Sequence, residues 1–140
     1  MSNAKKHSGG CHCGAVRFEV EVDATQGSRC NCSICAKVNG IGAIVKPDAL
    51  VVLQGESELS PYVWGGKVST RYFCKHCGVH LFQRGHLPEL GGDFAGVYLN
   101  ALDDLDASLV ELTYWDGRHD NWEAGPRKTP WPIQRAVAAS

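Results

Sequence analysis

Apolar and polar side chains alternate between residues 14 and 23. The apolar positions are Val16, Phe18, Val20 and Val22. The charged residues between them are Arg17, Glu19 and Glu21. A period of two residues places these two sets on opposite faces of an extended chain, so the segment is predicted to be a strand with one face buried.

Six further short apolar segments, separated by turn-forming residues, indicate a mainly β protein with little helix. They span residues 41–45, 49–53, 69–73, 79–83, 94–99 and 109–115. A short helix is predicted at 33–40, ended by Asn39-Gly40, and residues 133–140 are predicted to be a frayed helix or disordered. A length of 140 residues is that of one domain.

The charge balance argues against a nucleic-acid partner. Fourteen Lys and Arg against 15 Asp and Glu leave a net charge of -1, so no global field attracts phosphates. No apolar run approaches the roughly 18 residues of a membrane span, and the N-terminus lacks the apolar core of a signal peptide. We therefore expect a soluble, cytoplasmic protein, in which the seven cysteines serve as metal ligands or catalytic thiols rather than as disulfides.

Two cysteine pairs have the form of metal-binding knuckles. CHCG at 11–14 and CKHCG at 74–78 each end in a glycine, which allows a tight turn that aims backbone N–H groups at the thiolates. A structural zinc site takes four protein ligands. We predict that one zinc is bound by Cys11, Cys13, Cys74 and Cys77, the alternative being that these are ordinary buried thiols.

Three cysteines remain in the segment CNCSIC: Cys30, Cys32 and Cys35. Three ligands leave the fourth position of a zinc ion open, as in catalytic sites. Several alternatives remain at this stage. The three thiols could form a redox-active cluster without metal, CHC and CNC could share one metal, or a distant side chain could complete the site. The candidates for that fourth ligand are His119, His80 and Asp93.

At these segments the sequence resembles the glutathione-dependent formaldehyde-activating enzyme family, which includes centromere protein V-like members. The resemblance extends over about residues 9–123 and rests on GGCHCGAVRFEV, CNCSIC, YFCKHCGVHLF and the downstream GDF, LNALDD and Trp122. It implies a β-tent of antiparallel sheets, a structural zinc at the four-cysteine cluster and a catalytic zinc at the other three. Asn31 stands where many members have His. We expect a disordered segment at 1–8, the zinc domain at 9–125 and a tail at 126–140.

The resemblance also implies an activity, namely the joining of glutathione and formaldehyde to S-hydroxymethylglutathione by a carbon–sulfur lyase. Such a site needs cations for the carboxylates of glutathione, and the candidates are Arg71, Lys37, Arg84 and Arg118. Aromatic residues that could line a pocket are Tyr72, Phe73, Trp115 and Trp122. His119 with Asp120 is a candidate proton relay, whereas His12 and His76 are expected to face solvent.

A second hypothesis is a non-catalytic, zinc-stabilised module that binds another protein. A free coordination position on the second zinc would favour the enzyme, and a fourth protein ligand would favour the module. The sequence does not determine the physiological thiol, the electrophile or the oligomeric state.

Overall fold

A computed structural model describes residues 4–64 and 68–133. These residues form ten strands, one α-helix and several 3-10 turns. The strands are β1 Lys5–Gly10, β2 Arg17–Val22, β3 Gln26–Cys30, β4 Gly42–Val45, β5 Leu50–Gln54, β6 Leu59–Tyr62, β7 Ser69–Cys74, β8 His80–Leu87, β9 Gly92–Tyr98 and β10 Glu111–Trp115, and the helix α1 is Ser33–Val38. The fold is therefore mainly β, as predicted.

The strands form two sheets. The smaller has the order β1-β2-β5 and the larger the order β10-β3-β4-β9-β8-β7-β6. Neighbouring strands are antiparallel except β3 and β10, which run parallel. Of the helices in the described part of the chain, none has the length and apolar character that a bilayer span requires.

The core lies between the two sheets. The alternating apolar residues of β2 face it: Phe18 and Val20 are fully buried, as is Val16 just before the strand. Across the interface the rings of Phe18 and Phe82 meet edge to face, with centroids 5.8 Å apart, a favoured aromatic geometry. The prediction for this strand is confirmed.

The larger sheet has a second face that points away from the core. Successive side chains along a strand point to opposite faces of the sheet, and residues directly opposite each other on neighbouring strands point to the same face. Each row of cross-strand neighbours therefore lies on one face. The row on the core side contains Tyr72, Phe82, Val97 and Ala43. The adjacent row, on the outer face, contains Arg71, Gln83, Gly96 and Ile44.

The described parts of both terminal segments contact strands of the fold. Residues 5–8, predicted to be disordered, belong to β1, which pairs with β2 along its whole length. The backbone of Arg127 pairs with that of Tyr114, and Trp131 Nε1 donates to the Tyr114 carbonyl at 2.9 Å. The edges of β2 and β10 supply these partners for residues 5–8 and for Arg127 and Trp131. Residues 1–3 and 134–140, including most of the predicted C-terminal helix, lie outside the described residues, and the domain boundaries stay a prediction.

Candidate metal centres

The first cysteine cluster brings together residues from the two ends of one long stretch of chain. The sulfurs of Cys11, Cys13, Cys74 and Cys77 all lie within 4.8 Å of one another. Cys13 Sγ is 3.6 Å from Cys11 Sγ and 3.6 Å from Cys74 Sγ. Ligands about 2.3 Å from a tetrahedral zinc ion are about 3.8 Å apart. The four thiols therefore fit one metal ion.

Two similar turns hold these thiols. Gly14 and Gly78 both have positive φ, 83° and 76°, and at both positions a Cβ atom would meet nothing within 4 Å. Glycine is therefore favoured at both positions because it adopts positive φ without strain, and not because a side chain would lack space. In each turn a backbone N–H points at a sulfur: Val16 N lies 3.3 Å from Cys11 Sγ and His76 N 3.4 Å from Cys74 Sγ.

Backbone hydrogen bonding also makes one thiol of this cluster, that of Cys77, more acidic. Hydrogen bonds from the backbone, led by that of Val79, lower the pKa of the Cys77 thiol to about 6. A thiolate is the form that binds metal, so the turn prepares this ligand. His76 points away and contacts Glu58, with Nε2 2.7 Å from a carboxylate oxygen; His12 is exposed.

The second cluster is local. Cys30 ends β3, Cys32 immediately precedes α1 and Cys35 lies in its first turns. Their three sulfurs lie within 4.8 Å of one another and all three residues are half-buried. Hydrogen bonds from the Cys30 and Cys35 thiols lower the pKa of Cys32.

No fourth metal ligand joins this trio within the described residues. No His, Asp, Glu or further Cys among residues 4–64 and 68–133 lies within 4.8 Å of all three sulfurs. The three candidates named from the sequence have other partners. His119 Nδ1 is 2.7 Å from Asp116, Asp93 is 2.8 Å from His86 Nδ1, and His80 stacks on Phe73. CHC and CNC also lie in separate clusters, which removes the alternative of one shared metal.

A cavity of about 120 Å³ adjoins the trio on the outer face of the larger sheet. Cys30 and Cys35 form one wall, and Arg71 and Tyr98 contribute polar atoms. Arg71 Nη1 donates to Tyr98 Oη at 3.0 Å, and Nη2 lies 3.7 Å from Cys35 Sγ. Burial raises the pKa of the Tyr98 hydroxyl, which therefore keeps its proton at neutral pH.

The loop after β10 supports the trio from another side. Asp116, which is 5% exposed, accepts from Asn31 Nδ2 at 2.8 Å. Asn31 Oδ1 accepts from the Arg118 backbone N–H at 3.0 Å. A Cβ atom on Gly117 would stand 2.5 Å from Cys30 Sγ. The loop thus fixes the segment between the first two thiols.

Of the cations proposed from the sequence, Arg71 lines the cavity. Arg118 Nε donates to the Asn31 carbonyl at 2.8 Å, Lys37 is exposed on α1, and Arg84 donates to the carbonyls of Pro47 and Leu50. The proposed relay partner of His119 was wrong. His119 contacts Asp116, whereas Asp120 accepts from Trp122 Nε1 at 2.7 Å.

The predicted aromatic residues divide between core and site. Tyr72 packs on Phe82, with ring centroids 5.4 Å apart, so it belongs to the core-side row. Trp115 and Trp122 contact each other at 5.8 Å, and the Trp122 ring approaches Gly117 beside Cys30. Sequence reasoning missed Asp116, Tyr98 and Gln83. Gln83 stands opposite Arg71 in the cross-strand register, whereas Tyr98 reaches Arg71 only through its side chain.

Comparison with known proteins gives concordant results. Residues 6–116 match the model of a family described as glutathione-dependent formaldehyde-activating enzyme. Two fungal proteins, provisionally named as such enzymes, are similar: one from Penicillium rubens is 37% identical over 99 residues, 64% of this chain and 51% of that protein. The other, from Emericella nidulans, is 34% identical over 98 residues, 64% of this chain and 49% of that protein. This chain thus matches about half the length of these relatives.

A solved structure is also similar. The crystal structure of a Rhodobacter sphaeroides protein superposes with a TM-score of 0.67 at 29% identity, covering 77% of this chain and 98% of that one. The two chains therefore share one fold.

Proposed function

The chain belongs to the glutathione-dependent formaldehyde-activating enzyme family, and on this premise we propose that it joins a thiol to a small aldehyde. The reaction is the addition of glutathione, or a related thiol, to formaldehyde to give S-hydroxymethylglutathione, and its reverse is a carbon–sulfur lyase reaction. The observation that carries the proposal is the open arrangement of Cys30, Cys32 and Cys35 beside a cavity.

The two cysteine clusters would hold two zinc ions in different roles. Cys11, Cys13, Cys74 and Cys77 form a complete ligand set for a structural ion. Cys30, Cys32 and Cys35 offer three thiolates, and a zinc ion bound there would supply an open position that lowers the pKa of a substrate thiol.

The size of the cavity fits this chemistry. Pockets that enclose drug-sized ligands measure about 300–1,000 Å³, so a cavity of about 120 Å³ admits only a small group. The thiol end of glutathione and a one-carbon aldehyde would enter it. The remainder of the tripeptide would then lie outside, over the exposed face of the sheet near Ile44.

The proposed location is a reducing compartment such as the cytoplasm. All seven cysteines are free, and such thiols persist where glutathione and thioredoxin keep them reduced. The absence of a nucleic-acid or membrane partner stays a prediction, based on the net charge and the apolar pattern of the sequence.

The experiment measures exchange between formaldehyde hydrate and S-hydroxymethylglutathione by two-dimensional exchange NMR, with the zinc-loaded protein. We expect faster exchange than the spontaneous reaction, and no enhancement by Cys32→Ser, which lacks one of the three thiolates. The matched control is Ser33→Ala. Ser33 is the exposed neighbour of Cys32 and is not one of the three proposed metal ligands. An unenhanced rate with the parent protein, at two zinc ions per chain, would favour the non-catalytic binding module instead.

A further inference from the structure

The guanidinium of Arg71 connects the thiol trio to the hydroxyl of Tyr98. One of its nitrogens lies 3.7 Å from Cys35 Sγ and another donates to Tyr98 Oη at 3.0 Å. Both residues line the cavity beside Cys30 and Cys35. Two kinds of donor therefore meet within reach of the place where the proposed reaction forms its carbon–sulfur bond.

These donors have capacity left for a ligand. A guanidinium carries five N–H groups, and the contacts to Tyr98 and Cys35 use two of them. Arg71 Nε is buried without a hydrogen-bond partner within the described residues. Because Tyr98 Oη accepts from Arg71, the hydroxyl hydrogen of Tyr98 remains free to donate elsewhere. Because Arg71 and Tyr98 both line the cavity, an acceptor there can take hydrogen bonds from both residues.

The position of the donors indicates which acceptor fits. Arg71 lies next to a sulfur of the trio, where the substrate sulfur would be held. In a hydroxymethyl thioether the oxygen is attached to the carbon that the sulfur bonds, so it falls close to that sulfur. The carboxylates of glutathione are several bonds further away, outside a cavity of about 120 Å³. The aldehyde oxygen is therefore the matching acceptor.

We infer that Arg71 and Tyr98 form the oxygen-binding site of the reaction and act as its catalytic residues, an inference that rests on the proposed function. The substrate thiolate attacks the carbonyl carbon, a carbon–sulfur bond forms and the π electrons move to the oxygen. The hydroxyl of Tyr98 gives its proton to that oxygen and regains one from water. The proton that the thiol released to water balances this transfer, and Arg71 offsets the negative charge that develops on the oxygen.

The surrounding fold holds the pair in place. Arg71 stands opposite Gln83 in the sheet, and Gln83 Oε1 accepts from the Ser69 hydroxyl at 2.9 Å. A Cβ atom on Gly40 would stand 2.4 Å from the Tyr98 ring, so the absence of a side chain there lets the ring lie against the backbone. Donors fixed before the substrate binds stabilise developing charge with little reorganisation.

The test compares three zinc-loaded variants: Tyr98→Phe, Arg71→Lys and Arg71→Met. Exchange NMR gives kcat and KM for formaldehyde and for glutathione, and calorimetry gives glutathione binding without aldehyde. Loss of one donor to a developing oxyanion typically reduces kcat by about 10²-fold or more. We expect Tyr98→Phe and Arg71→Met to lower kcat by about 10- to 100-fold, with glutathione binding changed by less than about threefold. Arg71→Lys, which keeps the charge but not the planar fork, should recover part of the loss.

Tyr62→Phe is the matched control, because Tyr62 is exposed on β6; it should retain the parent rate. If the parent is active and the Arg71 variants instead weaken glutathione binding while Tyr98→Phe keeps its kcat, Arg71 binds a carboxylate and the inference is wrong. It is equally wrong if all three variants keep the parent kcat. An inactive parent would overturn the proposed function itself, and this inference with it.

Discussion

At the scale of single residues, Asp116 is a buried acid that reaches the second cluster through Asn31. Burial raises the pKa of Asp116, whereas hydrogen bonds from Asn31, His119 and Asn121 lower it. The hydrogen bonds outweigh burial, so the pKa lies below its usual range. The folded protein therefore binds this proton more weakly than the unfolded chain. Its stabilising contribution is present above the unfolded pKa of about 3.9 and is lost as pH falls through the lower folded value.

We expect Asp116→Asn to melt at a lower temperature than the parent at pH 7. The amide of the new side chain would place its own N–H donor against the donors of Asn31, His119 and Asn121, which need an acceptor there. The difference between the two melting temperatures should begin to shrink below about pH 4 and disappear as pH falls through the lower pKa of folded Asp116. Carboxyl NMR titration of Asp116 in the parent gives the pKa directly. Asp48→Asn is the control, since Asp48 is exposed. Equal melting of Asp116→Asn and parent at pH 7 would contradict this account.

The sequence allowed the cysteine clusters to be predicted but not their neighbours. Spacing predicted that Cys11, Cys13, Cys74 and Cys77 form one set, because ligand types and turn glycines occur locally, but it left open that CHC and CNC share one metal, and the structure removes that alternative. Asp116 and Tyr98 carry no such signal, since an acid after a strand and a tyrosine in a strand are common. Their roles depend on contacts to residues 85 and 27 positions away.

At the scale of elements, the helix α1 depends on a left-handed residue at its end. Asn39 has φ 58° and its N–H donates to the Cys35 carbonyl at 2.8 Å. The left-handed backbone conformation costs a residue with a Cβ atom roughly 1–2 kcal/mol of conformational free energy. The cost is smallest for asparagine and absent for glycine. Asn39→Ala should therefore destabilise the protein by about 1 kcal/mol.

Asn39→Gly is the matched variant and should melt at or above the parent temperature, since glycine is the usual residue at this position. Thermal melting of the three zinc-loaded proteins tests the difference. Equal melting of the alanine and glycine variants would show that the left-handed backbone does not limit the stability of α1.

The strands that the sequence missed differ in composition from those it predicted. The apolar segments at 41–45, 49–53, 69–73, 79–83, 94–99 and 109–115 all contain or overlap strands. The missed strands β1, β3 and β6 have the sequences KKHSGG, QGSRC and LSPY. Each lies beside an apolar neighbour that supplies its hydrogen-bond partners, such as β2 for β1. Such pairing depends on tertiary structure, which overrides weak strand preference.

At the scale of the whole molecule, the two clusters constrain the chain to different extents. Cys13 and Cys74, whose sulfurs are 3.6 Å apart, are 61 residues apart in the sequence. The cluster therefore joins the turn before β2, in the smaller sheet, to the end of β7, in the larger one. Cys30, Cys32 and Cys35 connect only the end of β3 with α1. The proposed structural and catalytic roles follow from this difference.

Serine substitutions in the two clusters should consequently have opposite effects. Structural zinc contributes about 10–16 kcal/mol of apparent binding energy in small zinc domains, against a net stability of about 5–15 kcal/mol for a domain. Cys74→Ser removes a fully buried ligand and should give insoluble or broadly melting protein. Cys32→Ser should leave a folded domain whose zinc content falls from about two ions to about one per chain.

Elemental analysis, thermal melting and exchange NMR on both variants test this difference. Cys32→Ser should lose activity while it keeps a cooperative melt, because the four-cysteine clamp between the sheets is intact. If Cys32→Ser unfolds and Cys74→Ser melts like the parent, the structural and reactive sites are assigned in reverse. If both variants fold and keep two zinc ions, neither cluster needs all of its thiols to bind zinc. The complete four-cysteine ligand set would then not be required for folding.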